Sequence, residues 1–295
     1  MFKGAIVAII TPFNENGIDE NNFKKLIHFQ IESGINGIVP CGTTGESPTL
    51  TTNEHNRVVE LCVKEVKGRV PVIAGTGSNS TAEAISLTKH AKKVGADAAL
   101  IVTPYYNKPT QKGLYLHFKA IADSVDIPVI LYNIEGRTGR NIETSTVAAL
   151  AKDCKNIIGV KEASGSLAQA KDVKKACGND FIILSGDDAL TLPILELGGH
   201  GVISVVANIV PKDVIGIINA FNNGDIESAK KMSENLRPLI DAMFIETNPI
   251  PVKKAAELLG FCSGALRLPL CDMEEKNLEK LKNALENYGL LSSVV

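Results

Sequence analysis

The sequence predicts a (β/α)8 TIM barrel of the α/β class with a helical extension at its carboxyl end, and three observations carry that expectation. Apolar runs of strand length alternate with amphipathic stretches of helical period eight times within residues 1–222. The runs are nearly continuous in Val, Ile and Leu, as strands covered on both faces are. Beyond residue 222 only helical periodicity remains. Eight consecutive units of this size match a closed parallel barrel. An open doubly wound sheet competes, but Gly75-Thr76-Gly77 lacks the third glycine and acidic partner of a dinucleotide site and reads as turn chemistry.

In chain order, the first strand is expected over 4–10 and its helix over 19–33, with Asp19 as the N-cap and Gly34 as the stop. The next pairs are 37–40 with 53–67, 71–76 with 81–94 stopped by Gly95, and 98–103 with 111–124. Then come 128–133 with 144–152, 157–162 with 167–177, 181–186 with 188–197, and 201–206 with 212–222. Three further helices are expected near 226–244, 251–259 and 273–288, with Asn248-Pro-Ile-Pro251 as a rigid connector among them. This divides the chain into a catalytic barrel over 1–223 and a three-helix segment over 224–295 packed on it.

Charge and composition narrow the partners. Against 33 acidic residues stand 31 Lys and Arg, a net charge of −2, so no broad field favours nucleic acid or an anionic membrane. The apolar run at 4–10 is too short to span a bilayer. Six cysteines without C-x-x-C spacing point to reduced thiols in a cytoplasmic protein, and five histidines without ligand spacing argue against a catalytic metal and a metal-dependent aldolase mechanism.

In a barrel the chemistry sits at the carboxyl ends of the strands. Lys161 closes the apolar run beginning at Ile157. A lysine facing the core would be desolvated, and desolvation favours the neutral amine that imine formation needs. The competing reading is a strand-end ammonium that reaches solvent or pairs with Glu162. Tyr132 and Thr43, at other strand ends, have hydroxyls able to relay protons on and off a carbonyl oxygen, although each could serve only structure. Gly42 and Gly45 would let the backbone approach a ligand, and the N–H groups of the Thr43-Thr44 turn could hold a carboxylate. Arg137, beside Gly136 and Gly139, suits a second carboxylate, a solvated surface arginine being the alternative. Asp187-Asp188 has the wrong sign for a phosphate site, and Asp188 reads as a helix N-cap.

These residues fall into a recognisable series: Cys41-Gly-Thr-Thr-Gly-Glu-Ser47, Thr103-Pro-Tyr-Tyr-Asn-Lys-Pro109, Tyr132-Asn133, Arg137-Thr-Gly139, Val160-Lys-Glu-Ala-Ser-Gly165, Leu184-Ser-Gly-Asp-Asp188 and Asn248-Pro-Ile-Pro-Val-Lys253. In order and spacing the chain resembles, over nearly its whole length, the dihydrodipicolinate synthase family of the N-acetylneuraminate lyase superfamily. The resemblance implies condensation of pyruvate with L-aspartate 4-semialdehyde in lysine and diaminopimelate biosynthesis, with no metal or organic cofactor. It implies that Lys161 forms the imine, Tyr132 moves protons, and Thr43 links Tyr132 to a Tyr106 supplied by the neighbouring subunit of a homotetramer built from dimers. Thr44 would bind the pyruvate carboxylate, Arg137 that of the aldehyde, and Gly186 and Ile203 would line the site. A lysine feedback site would fall on Ser47, His55, Asn79, Glu83 and Tyr105, with Thr52 where regulated members often have histidine. Where the family usually has proline, this chain has Glu135, two residues before Arg137. Related pyruvate aldolases acting on N-acetylneuraminate or 2-keto-3-deoxy sugar acids share the lysine and tyrosine, and a non-catalytic binding barrel is the remaining alternative.

Overall fold

The computed structural model describes residues 2–292. Its sheet contains β1 (Gly4–Ala8), β2 (Gly37–Val39), β3 (Ile73–Gly75), β4 (Ala98–Val102), β5 (Val129–Asn133), β6 (Ile157–Glu162), β7 (Ile182–Ser185) and β8 (Gly201–Ser204). All pair in parallel, in the order β2-β1-β8-β7-β6-β5-β4-β3. A single bridge between Ile38 and Val72 brings β2 to β3 and closes the ring. The fold is the expected barrel.

Around it lie α1 (Glu20–Glu32), α2 (Thr52–Val66), α3 (Thr81–Val94), α4 (Gln111–Ser124), α5 (Thr144–Asp153), α6 (Leu167–Cys177), α7 (Thr191–Glu196) and α8 (Pro211–Asn222). Local sequence sets their ends. Asp19 accepts from Asn22 N at 3.1 Å to cap α1, and Thr51 forms a reciprocal capping box with Glu54 on α2. Gly95 ends α3 in the left-handed region at φ +95°, where a side chain would be strained. The barrel interior is filled by Ile6, Ile73, Leu100, Ile130, Leu184 and Ile203 with their neighbours, and a second apolar layer lies between strands and helices.

Three details depart from expectation. Residues Phe13–Asn14 and Gly17–Ile18 form a small antiparallel hairpin that precedes α1 in the chain. A four-residue helical turn, Glu135–Thr138, occupies what sequence reads as a loop. The N-cap after β7 is Asp187, whose side chain accepts from Ala189 N at 2.9 Å, and not Asp188. Asp188 is instead buried, with Oδ2 accepting from Val205 N at 2.9 Å and Val206 N at 3.0 Å. Burial raises its pKa despite those donors. The backbone N–H groups after β8 hold Asp188, and Asp187 is left to cap.

At the carboxyl end α9 (Ile226–Met243), α10 (Ile250–Leu258) and α11 (Glu275–Asn287) share one core with the barrel, where Leu236, Leu239, Leu281 and Leu285 join Val205 and Ile217. No described helix is long and apolar enough to cross a membrane. Arg267 ties this end to α2 through a two-pronged ion pair with Glu54, at 2.6 and 2.8 Å. The Arg267 guanidinium holds the Glu54 carboxyl down at about 2, from an ordinary 4.5. The folded value lies below the unfolded one, so the pair stabilises the protein above pH 4.5 and is lost as pH falls towards about 2. Glu54→Gln should therefore lower the Tm at neutral pH, and melts across that acid window should show parent and variant converging. A gap of constant size would contradict this.

Candidate active site

Lys161 reaches the barrel interior through an irregularity in β6. Ile157 and Val160 lie in the outer apolar layer, while Ile158 packs against the inner one. Strict alternation from Ile158 would aim Lys161 outwards. The pairing of β5 with β6 jumps, with Val129 opposite Ile157 but Ile130 opposite Gly159. This extra residue reverses the parity, as a bulge does, so Lys161 turns inwards and Glu162 outwards.

The consequences separate two readings of the lysine. Lys161 is 6% exposed, and its Nζ lies 4.1 Å from the centroid of the Tyr132 ring, its register partner on β5. Among the described residues no carboxylate reaches that amine. Glu162 is occupied on the other face, accepting from Ser164 N at 2.8 Å, Gln169 Nε2 at 3.1 Å and Asn133 Nδ2 at 3.2 Å. An ion pair between Lys161 and Glu162 is thereby ruled out. Gly186 follows β7 beside the lysine, where a Cβ would clash first with Ala163 Cβ and would also lie 3.0 Å from Lys161 Cε, so the glycine is demanded by close packing against the end of β6. Ile203 on β8 is buried among the inner residues.

A cavity of about 420 Å³ opens at this end of the barrel, lined by Gly42, Thr43, Tyr132, Ile134 and Arg137 among others. Lys161, Thr44, Gly186 and Ile203 lie behind that lining, and Lys161 meets it through the Tyr132 ring. Thr43 and Thr44 lie in the turn after β2, and among the described residues neither backbone N–H finds a protein acceptor. Two unsatisfied donors in one turn suit an anion. Gly45 also serves packing: a Cβ there would meet Ile9 O at 3.1 Å and Cys41 N at 3.2 Å. At Gly42 a Cβ would make only an ordinary contact with Val39.

Arg137 stands exposed in the helical turn after β5 and donates through Nη2 to the Asn248 carbonyl at 3.0 Å. Glu135 does not pair with it among the described residues. Asn248 also donates through Nδ2 to Thr44 Oγ1 at 3.0 Å. Sequence reasoning names this residue only within the Asn248-Pro-Ile-Pro-Val-Lys253 series and the connector, and gives it no role in the site.

Tyr106 does not join the cavity of its own chain: it is 88% exposed and holds a left-handed φ of +70°. Of the residues implied for lysine binding, Ser47, His55, Glu83 and Tyr105 line the same cavity as Thr43. His55 is buried, with Nε2 2.8 Å from Gly75 O and Nδ1 without a partner among the described residues, and burial lowers its pKa. Glu83 accepts from Ser78 Oγ. Asn79 stands outside the lining, and its carbonyl accepts from Asn107 at 2.9 Å.

A parallel barrel with a buried lysine, free of any described carboxylate and set against a tyrosine at the carboxyl ends of its strands, defines an enzyme of the class I aldolase type. The Dihydrodipicolinate synthetase family matches residues 1–288. A 4-hydroxy-tetrahydrodipicolinate synthase of Endomicrobium trichonymphae is 60% identical over 291 residues, 99% of this chain and 100% of that protein. The crystal structure of dihydrodipicolinate synthase from Aquifex aeolicus superposes with a TM-score of 0.97 at 50% identity, covering 98% of this chain and 99% of that one. The Acinetobacter baumannii enzyme, solved in complex with pyruvate, gives a TM-score of 0.96 at 44% identity over 99% and 100% of the two chains. The chain belongs to the dihydrodipicolinate synthetase family.

Proposed function

We propose that this chain condenses pyruvate with L-aspartate 4-semialdehyde to give 4-hydroxy-tetrahydrodipicolinate, in lysine and diaminopimelate biosynthesis, through an imine on Lys161. The observation that carries the reading is the Lys161 amine, buried, free of any described carboxylate and in contact with Tyr132. The amine adds to the keto carbon of pyruvate, and loss of water leaves the iminium. Removal of a methyl proton then gives an enamine, whose carbon bonds to the aldehyde carbon of the second substrate. The amino group of that substrate adds to the imine carbon, closing the ring and expelling the lysine.

Tyr132 and Thr43 move protons on and off the keto oxygen in this account, from positions on the same cavity wall. Thr44 and the free N–H groups of its turn hold the pyruvate carboxylate, while Arg137 holds that of the aldehyde. Gly186 and Ile203 shape the space around the imine. Tyr106, exposed on left-handed backbone, completes the site of a neighbouring copy in a homotetramer of dimers. Lysine itself would bind at Ser47, His55, Asn79, Glu83 and Tyr105. The barrel over 1–223 is the catalytic unit, with 224–295 as its packed helical segment; residues 1 and 293–295 of these ranges lie outside the described residues. The six free thiols suit the cytoplasm.

A substrate comparison tests this. Purified protein should consume aspartate semialdehyde with pyruvate at least about 100-fold faster, by kcat/KM, than it cleaves N-acetylneuraminate or a 2-keto-3-deoxy sugar acid, since a polar site built for one substrate discriminates on that scale or beyond. The reverse preference would overturn the assignment.

A further inference from the structure

Asn248 touches both groups to which the two carboxylates are assigned. Its Nδ2 donates to Thr44 Oγ1 at 3.0 Å, and its backbone carbonyl accepts from Arg137 Nη2 at 3.0 Å. The residue is 5% exposed and Thr44 is 2% exposed, so water competes little for either contact. The direction of the first bond matters chemically. A threonine hydroxyl that receives a hydrogen bond keeps its own proton free to donate, and a donor is what a carboxylate requires.

The segment carrying Asn248 is itself anchored to the turn that it would serve. Lys253, one turn into α10, meets Glu46 of the Thr43–Thr44 turn at 2.5 Å and donates to Thr11 O at 3.0 Å. Both side chains of that pair are fully buried. The connector therefore grips the turn after β2 at two points, Thr44 and Glu46, two residues apart.

We propose that Asn248 is a positioning residue that orients the Thr44 hydroxyl as a donor to the pyruvate carboxylate and fixes the Arg137 guanidinium through its backbone. It thereby joins the two carboxylate subsites from the connector that leads into α10. The inference rests on the assignment of Thr44 to pyruvate made above. Because the two contacts use different atoms, they separate in a mutant: a side-chain replacement loses the Thr44 bond and keeps the carbonyl that holds Arg137.

Steady-state kinetics with each substrate varied in turn reads this split. Asn248→Ala should raise the KM for pyruvate about tenfold while the KM for the aldehyde stays within about twofold, since one hydrogen bond serving a charged ligand is lost. Asn248→Asp should be worse than Asn248→Ala, because a carboxylate takes the Thr44 proton and adds a negative charge beside the anion. Thr44→Val should match Asn248→Ala, and the double variant should lose no more than Thr44→Val alone.

An unchanged pyruvate KM in Asn248→Ala would overturn the proposal. So would an Asn248→Asp variant equal to the parent, equal rises in both KM values with a lower Tm, or additive losses in the double variant. If Asn248→Ala folds poorly, Thr44→Val alone still decides, because an unchanged pyruvate KM there removes the hydroxyl from the argument. Borohydride trapping of the parent with pyruvate distinguishes the two levels. An adduct on Lys161 with normal Asn248→Ala kinetics sinks only this inference, whereas no adduct sinks the function on which it rests.

Discussion

Replacing Lys161 with Met should lower kcat/KM for the condensation by on the order of 10³-fold or more, the scale on which covalent catalysis fails when its nucleophile is removed. That corresponds to about 4 kcal/mol at 1.36 kcal/mol per tenfold. Methionine follows the lysine stem without the amine, so packing against Tyr132 and beside Gly186 is kept. The Tm should hold or rise, because the parent buries an amine that no described carboxylate pairs. Lys161→Arg should be equally inactive, since a guanidinium keeps its charge and cannot act as the nucleophile. Retained turnover in either variant, measured by coupled assay, would place the chemistry elsewhere; a collapsed Tm would make the lysine structural.

The largest stability effect is expected at Lys253 and Glu46. Their side chains are wholly buried 2.5 Å apart, with Lys253 Nζ also 4.2 Å from the centroid of the Phe13 ring. Burial lowers the Lys253 pKa against the opposing pull of Glu46. Removing one member leaves a buried charge without its partner, which costs about 3–5 kcal/mol. Lys253→Met should therefore reduce the Tm by on the order of 10 °C, given about 2–4 °C per kcal/mol in chains somewhat smaller than this one. Combining it with Glu46→Gln should recover a large part of that loss, since the uncompensated charge is gone. Simple additivity of the two losses in a melting experiment would show that the side chains act separately. Because Glu46 shares its turn with Thr43 and Thr44, the pair also ties barrel stability to the shape of the site.

The barrel was legible because its signal repeats. Apolar runs and helical periods recur along the chain, and bounds such as those of Leu167–Cys177 and Gln111–Ser124 follow from capping side chains and periodicity alone. The Phe13–Ile18 hairpin escapes that reading because two-residue strands are too short to show a period. The Glu135–Thr138 turn is a single helical turn, below the length at which amphipathicity can appear. Asp188 misled because capping chemistry fits two adjacent aspartates, and only the distant N–H groups of Val205 and Val206 choose between them.

The site was legible in its residue types and illegible in its aim. Lys161 and Tyr132 stand out as polar residues ending apolar strands, yet alternation alone would turn the lysine outwards. The shift in pairing at Val129 and Ile130 is a relation between strands that no single run encodes. Asn248 was missed for a similar reason, since its partners Thr44 and Arg137 lie 204 and 111 residues away along the chain. Long-range contacts of this kind leave no periodic trace.

Reduction of the protein with borohydride in the presence of pyruvate, followed by peptide mass analysis, tests the imine most directly. The expected result is one pyruvate-derived adduct per chain on the peptide containing Lys161, absent from the Lys161→Met variant. An unmodified chain, or an adduct on any other lysine, would contradict the account.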